Sequence, residues 1–136
     1  MDDTQLVKLL RQALALTEDD LTSMAQLSGW ELAAGEITLP YFLEGLILNE
    51  RGPKADGAAP VVNDQALSNN QILKKLRIAL NLQEQDMLLI FEEGDVTLSA
   101  SEFGALFRKE GNKHFRPCSD ELLQHFITGL TPTLDA

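Results

Sequence analysis

Residues 5–21 (QLVKLLRQALALTEDDL) return sixty-six positions later as residues 71–87 (QILKKLRIALNLQEQDM), with nine of the seventeen positions identical. The chain is an internal duplication. Two copies of one helical unit must each bury the same apolar stripe, and packing the copies on each other does this most simply. The expected fold class is therefore all-α: two tandem helical repeats, about three helices in the first and four in the second, packed as a pseudo-symmetric single unit.

The duplication reaches further, because PYFLEGL at 40–46 matches QHFITGL at 124–130 once the offset rises to eighty-four. The difference is an insertion of eighteen residues. Aligning Leu32-Ala33-Ala34 with Leu98-Ser99-Ala100 places it at about 101–118 (SEFGALFRKEGNKHFRPC), in the second copy alone. The expected organisation is a shortened first repeat at 1–52, a linker at 53–68 and a second repeat with an inserted helix and basic loop at 69–136. The copies share a scaffold and differ in one element, so function is sought there.

Leu6, Leu10, Ala13 and Leu14 recur at helical spacing, predicting an amphipathic helix over 3–15. Thr17 followed by Glu18-Asp19-Asp20 predicts the capped start of a second helix turning Leu21, Met24 and Leu27 inward. Pro40 suits the first turn of a third helix, running to Arg51 with Gly52 as its stop. Residues 53–68, rich in Pro, Gly and Ala without periodicity, read as a linker. Ser68-Asn69-Asn70 offers N-cap residues for the second copy, with helices at about 71–81 and 84–92. Asp95 to Leu98 alternates like a short strand, and Trp30-Glu31-Leu32 would be its partner. Ser99 with Glu102 predicts another capped helix, running to Glu110 and stopping at Gly111. Ser119-Asp120-Glu121 opens the last, which should bury Leu122, Leu123, Phe126 and Leu130 before Pro132 ends it. Trp30, the only tryptophan, aligns with Val96 and reads as a core residue.

With 136 residues, 44% of them hydrophobic and 24% charged, the chain suits one globular unit. It holds no apolar run of transmembrane length, and its acidic start MDDTQ does not resemble a secretory signal. A cytoplasmic location without membrane attachment is expected, and the single cysteine, Cys118, agrees with a reducing compartment. Net charge is −10, with three Lys/Arg against nine Asp/Glu in residues 1–52 and seven against ten in residues 69–136. As a whole such a chain repels polyanions. The segment 107–116 within the insertion is the exception: Arg108, Lys109, Lys113 and Arg116 face only Glu110 there.

Those cations alternate with Phe107 and Phe115, and with His114 they form the candidate contact for an anionic or other partner: Arg108, Lys109, Lys113, His114 and Arg116. Cations meet phosphates and rings stack on bases, which is the chemistry of single-stranded nucleic acid. The bland reading is that helix-end cations answer the dipole and the two Phe side chains fill a core. His114, Cys118, Asp120 and His125 lie within twelve residues, but the spacing matches no ordinary zinc pattern, so no metal is expected. Cys118 reads as a buried free thiol rather than a reactive one. The paired carboxylates Glu18/Asp20 and Glu84/Asp86 are explained by helix first turns. No phosphate-binding loop, dinucleotide fingerprint, HExxH, GxSxG or EF-hand loop occurs, so neither catalytic residues nor a cofactor are assigned.

Three stretches, NNQILKKLRIALNL (69–82), LSASEFGALFRKEGNKHFRPCSDELLQHFITGL (98–130) and FLEGLILNERG (42–52), resemble the YehS family of small bacterial proteins, a domain of unknown function. The resemblance covers nearly the whole chain. It implies that both halves usually carry the segment seen here only at 101–118, and it supplies neither an activity nor site residues. The functional expectation is a non-enzymatic binding or regulatory module acting through protein–protein contacts. The alternative is nucleic-acid binding by the basic helix and loop at 106–116; an enzyme comes third.

Overall fold

The computed structural model describes residues 2–52, 62 and 65–135, with side chains described through residue 131. Among the described residues seven α-helices form: α1 (Asp3–Ala13), α2 (Glu18–Ser28), α3 (Leu39–Arg51), α4 (Asn69–Ala79), α5 (Glu84–Glu93), α6 (Ala100–Leu106) and α7 (Asp120–Asp135), with a 3-10 turn at Leu32–Ala34. The fold is all-α. Most of the expected linker at 53–68 lies outside the described residues.

Local chemistry repeats with the sequence. Asp2 caps α1 and Ser68 caps α4, each in a reciprocal box with the glutamine three residues on, Gln5 and Gln71. Asp20 accepts the Thr17 N–H and Asp86 the Gln83 N–H, both at 2.8 Å, at the starts of α2 and α5. Both copies turn the corner between their first two helices through a left-handed residue, Ala15 and Asn81, each with φ 53°. Each corner is tied by a backbone bond, Leu16 N–H to Arg11 O and Leu82 N–H to Arg77 O, at 3.0 Å.

The second and last helices of each copy cross at a glycine. A Cβ on Gly45 would lie 2.6 Å from the Met24 carbonyl oxygen, and one on Gly129 would lie 1.9 Å from the Ile90 carbonyl oxygen. Met24 and Ile90 are sixty-six apart, Gly45 and Gly129 eighty-four, so the same crossing is built twice. α3 packs on α4, and α1 on α7, carrying contact across the copies. One hydrophobic cluster includes Leu6, Leu10, Met24 and Phe42 from the first copy with Leu73, Phe91, Phe103 and Phe126 from the second.

Four sequence expectations are corrected. No strand forms among the described residues: Trp30 N–H bonds Ala25 O and Val96 N–H bonds Phe91 O, both at 2.9 Å, so each proposed strand closes its own preceding helix. Trp30 is half-buried rather than core; its ring lies 5.1 Å from Tyr41 and its indole N–H donates to Gly35 O at 3.1 Å. α6 stops at Leu106, well short of Glu110. The carbonyls that would receive N–H groups 109 and 110 are engaged elsewhere, Ala105 O by the Arg116 N–H and Leu106 O by the Asn70 amide. Finally, α7 runs through Pro132 to Asp135; the ring removes one ladder bond, to residue 128, and Thr128 is exposed where water can serve that carbonyl. In α2 the fully buried positions are Met24, Ala25 and Ser28, while Leu21 and Leu27 are half-buried.

Candidate interaction site

The insertion is held by a face of α4. Positions 70, 73 and 77 lie on one side of that helix by their i, i+3, i+7 spacing. The Asn70 amide donates to Leu106 O and Arg116 O, both at 2.9 Å, and its carbonyl accepts the Cys118 N–H at 2.8 Å. Asn69 donates to Cys118 O at 3.0 Å and to the Asp120 carboxylate at 2.7 Å, which holds that carboxyl below its usual range. Arg77 lies over the rings of Phe103 and Phe107, 5.4 and 5.0 Å from their centroids. Phe103 and Leu106 enter the core beneath, and Leu73 is fully buried.

Beyond this clamp the loop presents the candidate residues to solvent. Arg108, Lys109, Lys113 and His114 are exposed. Arg116 is exposed too, but its guanidinium reaches Glu102 at 3.6 Å. Glu102 is the capping carboxylate of α6, and the Ser99 backbone N–H and hydroxyl hold its pKa down, with Arg116 adding to this. Phe107 and Phe115 are half-buried, so their rings are not free stacking platforms. Cys118 is buried, and burial raises its thiol to about 11. His125 has its Nδ1 2.7 Å from Gly94 O within its own copy. Among the described residues no three His, Cys, Asp or Glu side chains group as metal ligands.

The first copy keeps the matching face of its first helix and lacks the insertion. Asp3, Thr4, Val7 and Arg11 of α1 stand sixty-six residues before Asn69, Asn70, Leu73 and Arg77. With Leu21 of α2, Leu32 and Ile37 they line a groove of about 760 Å³. Among the described residues nothing covers its apolar floor: Val7 and Leu21 are half-buried where their counterparts Leu73 and Met87 are fully buried, and Leu32 is 51% exposed. Arg11, with no ring to lie on, pairs with Glu18.

Sequence reasoning singled out the exposed cations and missed both Asn69-Asn70 and this groove. A signal was present, since the two asparagines replace Asp3-Thr4 only in the copy that carries the insertion.

Residues 69–133 match a family model, DUF1456, described as a protein of unknown function. Over 95 residues the chain is 40% identical to the uncharacterized protein YehS of Escherichia coli (strain K12), a match covering 70% of this chain. Over these stretches the chain is similar to the YehS family. It spans about 60% of the length of that YehS relative. The YehS relative is itself uncharacterized, so the similarity assigns no reaction. No solved structure matches. No helix among the described residues is long and apolar enough to cross a membrane.

Proposed function

We propose that the protein is a non-enzymatic binding or regulatory module that works through protein–protein contacts. The observation that carries this is the groove over α1 and α2, an apolar floor of Val7, Leu21, Leu32 and Ile37 left open where the other copy is covered by its own chain. A concave apolar surface rimmed by charges is what a protein partner buries on binding. The surrounding excess of acidic residues in residues 1–52 disfavours nucleic acid at this face.

The second reading is nucleic-acid binding by the insertion, supported by the exposure of Arg108, Lys109, Lys113 and His114 in one loop. One experiment separates the two. Tagged full-length protein, a groove variant (Val7→Glu with Leu32→Glu) and a loop variant (Arg108, Lys109, Lys113 and Arg116 to Ala) are used to capture partners from a bacterial lysate with and without nuclease. The protein-contact reading expects nuclease-resistant partners that the groove variant loses and the loop variant keeps. Capture that vanishes with nuclease, weakens steeply with salt and is lost by the loop variant would replace it with the nucleic-acid reading.

A further inference from the structure

We infer that the groove of the first copy takes a short amphipathic helix of a partner protein, one presenting an aromatic, an aliphatic and an aromatic side chain at positions i, i+3 and i+4 and carrying basic flanks. This rests on the protein-contact reading above and names the partner's chemistry.

The protein contains its own template for that occupant. In the second copy the surface equivalent to the groove is covered by α6 and the loop after it, with Phe103, Leu106 and Phe107 at i, i+3 and i+4. Phe103 and Leu106 go into the core, and Phe107 lies with Phe103 under Arg77, their ring centroids 4.8 Å apart. The residues of α4 and α5 on that face have counterparts in the groove. Val7 stands for Leu73 and Arg11 for Arg77 of α4, and Leu21 for Met87 of α5. The arginine is the most telling, because the same side chain at the same position stacks on two rings in one copy and falls back on Glu18 in the other. An incoming aromatic pair draws Arg11 off that exposed ion pair, which contributes little, and returns a cation–π contact.

The exchange of Asn69-Asn70 for Asp3-Thr4 tells what the occupant lacks. Asn69 and Asn70 grip the main chain at and after the end of α6, whereas Asp3 has no donor to offer carbonyls and the short Thr4 hydroxyl has one donor in place of the two that Asn70 uses. The partner is therefore held by its helix and side chains, not by a following loop. Asp3, Glu18 and Glu36 outnumber Lys8 and Arg11 around the groove, within a copy of nine acidic to three basic residues, and this excess favours a basic flank.

The test titrates isotope-labelled full-length protein with a synthetic peptide of residues 98–119 bearing Cys118→Ser, followed by amide chemical shifts. Saturable shifts are expected at Val7, Arg11, Leu21 and Ile37. Replacing both phenylalanines of the peptide by Ala should weaken binding by about tenfold or more. Arg11→Ala in the protein should weaken it by about threefold to tenfold. The Asp3→Asn, Thr4→Asn protein, which restores the amide donors, should bind the peptide more tightly than the wild type. The inference is overturned if neither wild type nor this variant saturates below about 1 mM, if shifts fall on α4 instead, or if the phenylalanine changes have no effect. Concentration-dependent self-association in sedimentation, lost on Val7→Glu, would also overturn it by placing a second copy in the groove. If the peptide fails while lysate capture remains nuclease-resistant and groove-dependent, the helical occupant is wrong and the protein-contact reading stands.

Discussion

Three hydrogen bonds converge on the Asn70 side chain, to Leu106 O, Arg116 O and Cys118 N–H. They tie the end of α6 to the segment before α7, and removing them strands the partly buried Leu106 carbonyl and Cys118 amide and leaves the exposed Arg116 carbonyl to water. Asn70→Ala should destabilise by about 2–4 kcal/mol, seen as a lower urea midpoint, which is more than any one of the exposed loop charges should cost. Cys118 supplies a second check. Its folded thiol titrates near 11, above the ordinary 9.0, because burial disfavours the thiolate. A folded pKa raised above the unfolded one means stability fully present below pH 9.0 and declining as pH rises toward about 11. At pH 8 a disulfide reagent should react with Cys118 far more slowly in the folded protein than in urea; equal rates would show the thiol to be open. The role of Asn70 was hidden in the sequence, where an asparagine beside Ser68 reads as a helix cap. Ser68 alone fills that role, and the asparagine partners lie 36 and more residues away.

Helix crossings decide which substitutions each element tolerates. In an exposed helix interior, Gly→Ala stabilises by about 0.5–1 kcal/mol. At Gly129 the added methyl meets the Ile90 carbonyl oxygen at 1.9 Å and at Gly45 the Met24 carbonyl oxygen at 2.6 Å, both backbone atoms that cannot swing aside. The clash therefore wins. Gly129→Ala should lower stability by about 3 kcal/mol or more and Gly45→Ala by less, measured by thermal unfolding; an unchanged melting temperature for Gly129→Ala would mean that α5 and α7 do not cross this closely. For the insertion, replacing Arg108, Lys109, Lys113 and Arg116 together by Ala should change stability by no more than about 1 kcal/mol, since these side chains are exposed and, among the described residues, only Arg116 has an ion pair, to Glu102 at 3.6 Å. Unfolding of that variant would make the cations structural. Helix starts were legible from sequence because capping is local: Thr17 with Asp20, and Ser99 with Glu102, form as expected. Ends were less so. α6 stops where Asn70 and the Arg116 amide take its last carbonyls, and both come from outside the helix.

Across the molecule, the copies share one cluster of buried side chains and are further joined by Lys75 to Glu44 at 2.5 Å, a half-buried pair between α4 and α3. Residues 69–136 alone would expose the α4 and α7 surfaces that α3 and α1 cover. That fragment should be poorly ordered or self-associating, and a monomeric fragment with a cooperative melt would refute the shared core. The sequence alone determined that the chain is helical, that one unit occurs twice and that eighteen residues belong to one copy only, because periodicity, caps and duplication are carried by neighbouring residues. Tertiary structure decided what the insertion does. It spends its aromatic residues on the second copy and, among the described residues, leaves the matching face of the first uncovered, because what covers a surface is set by segments distant in sequence.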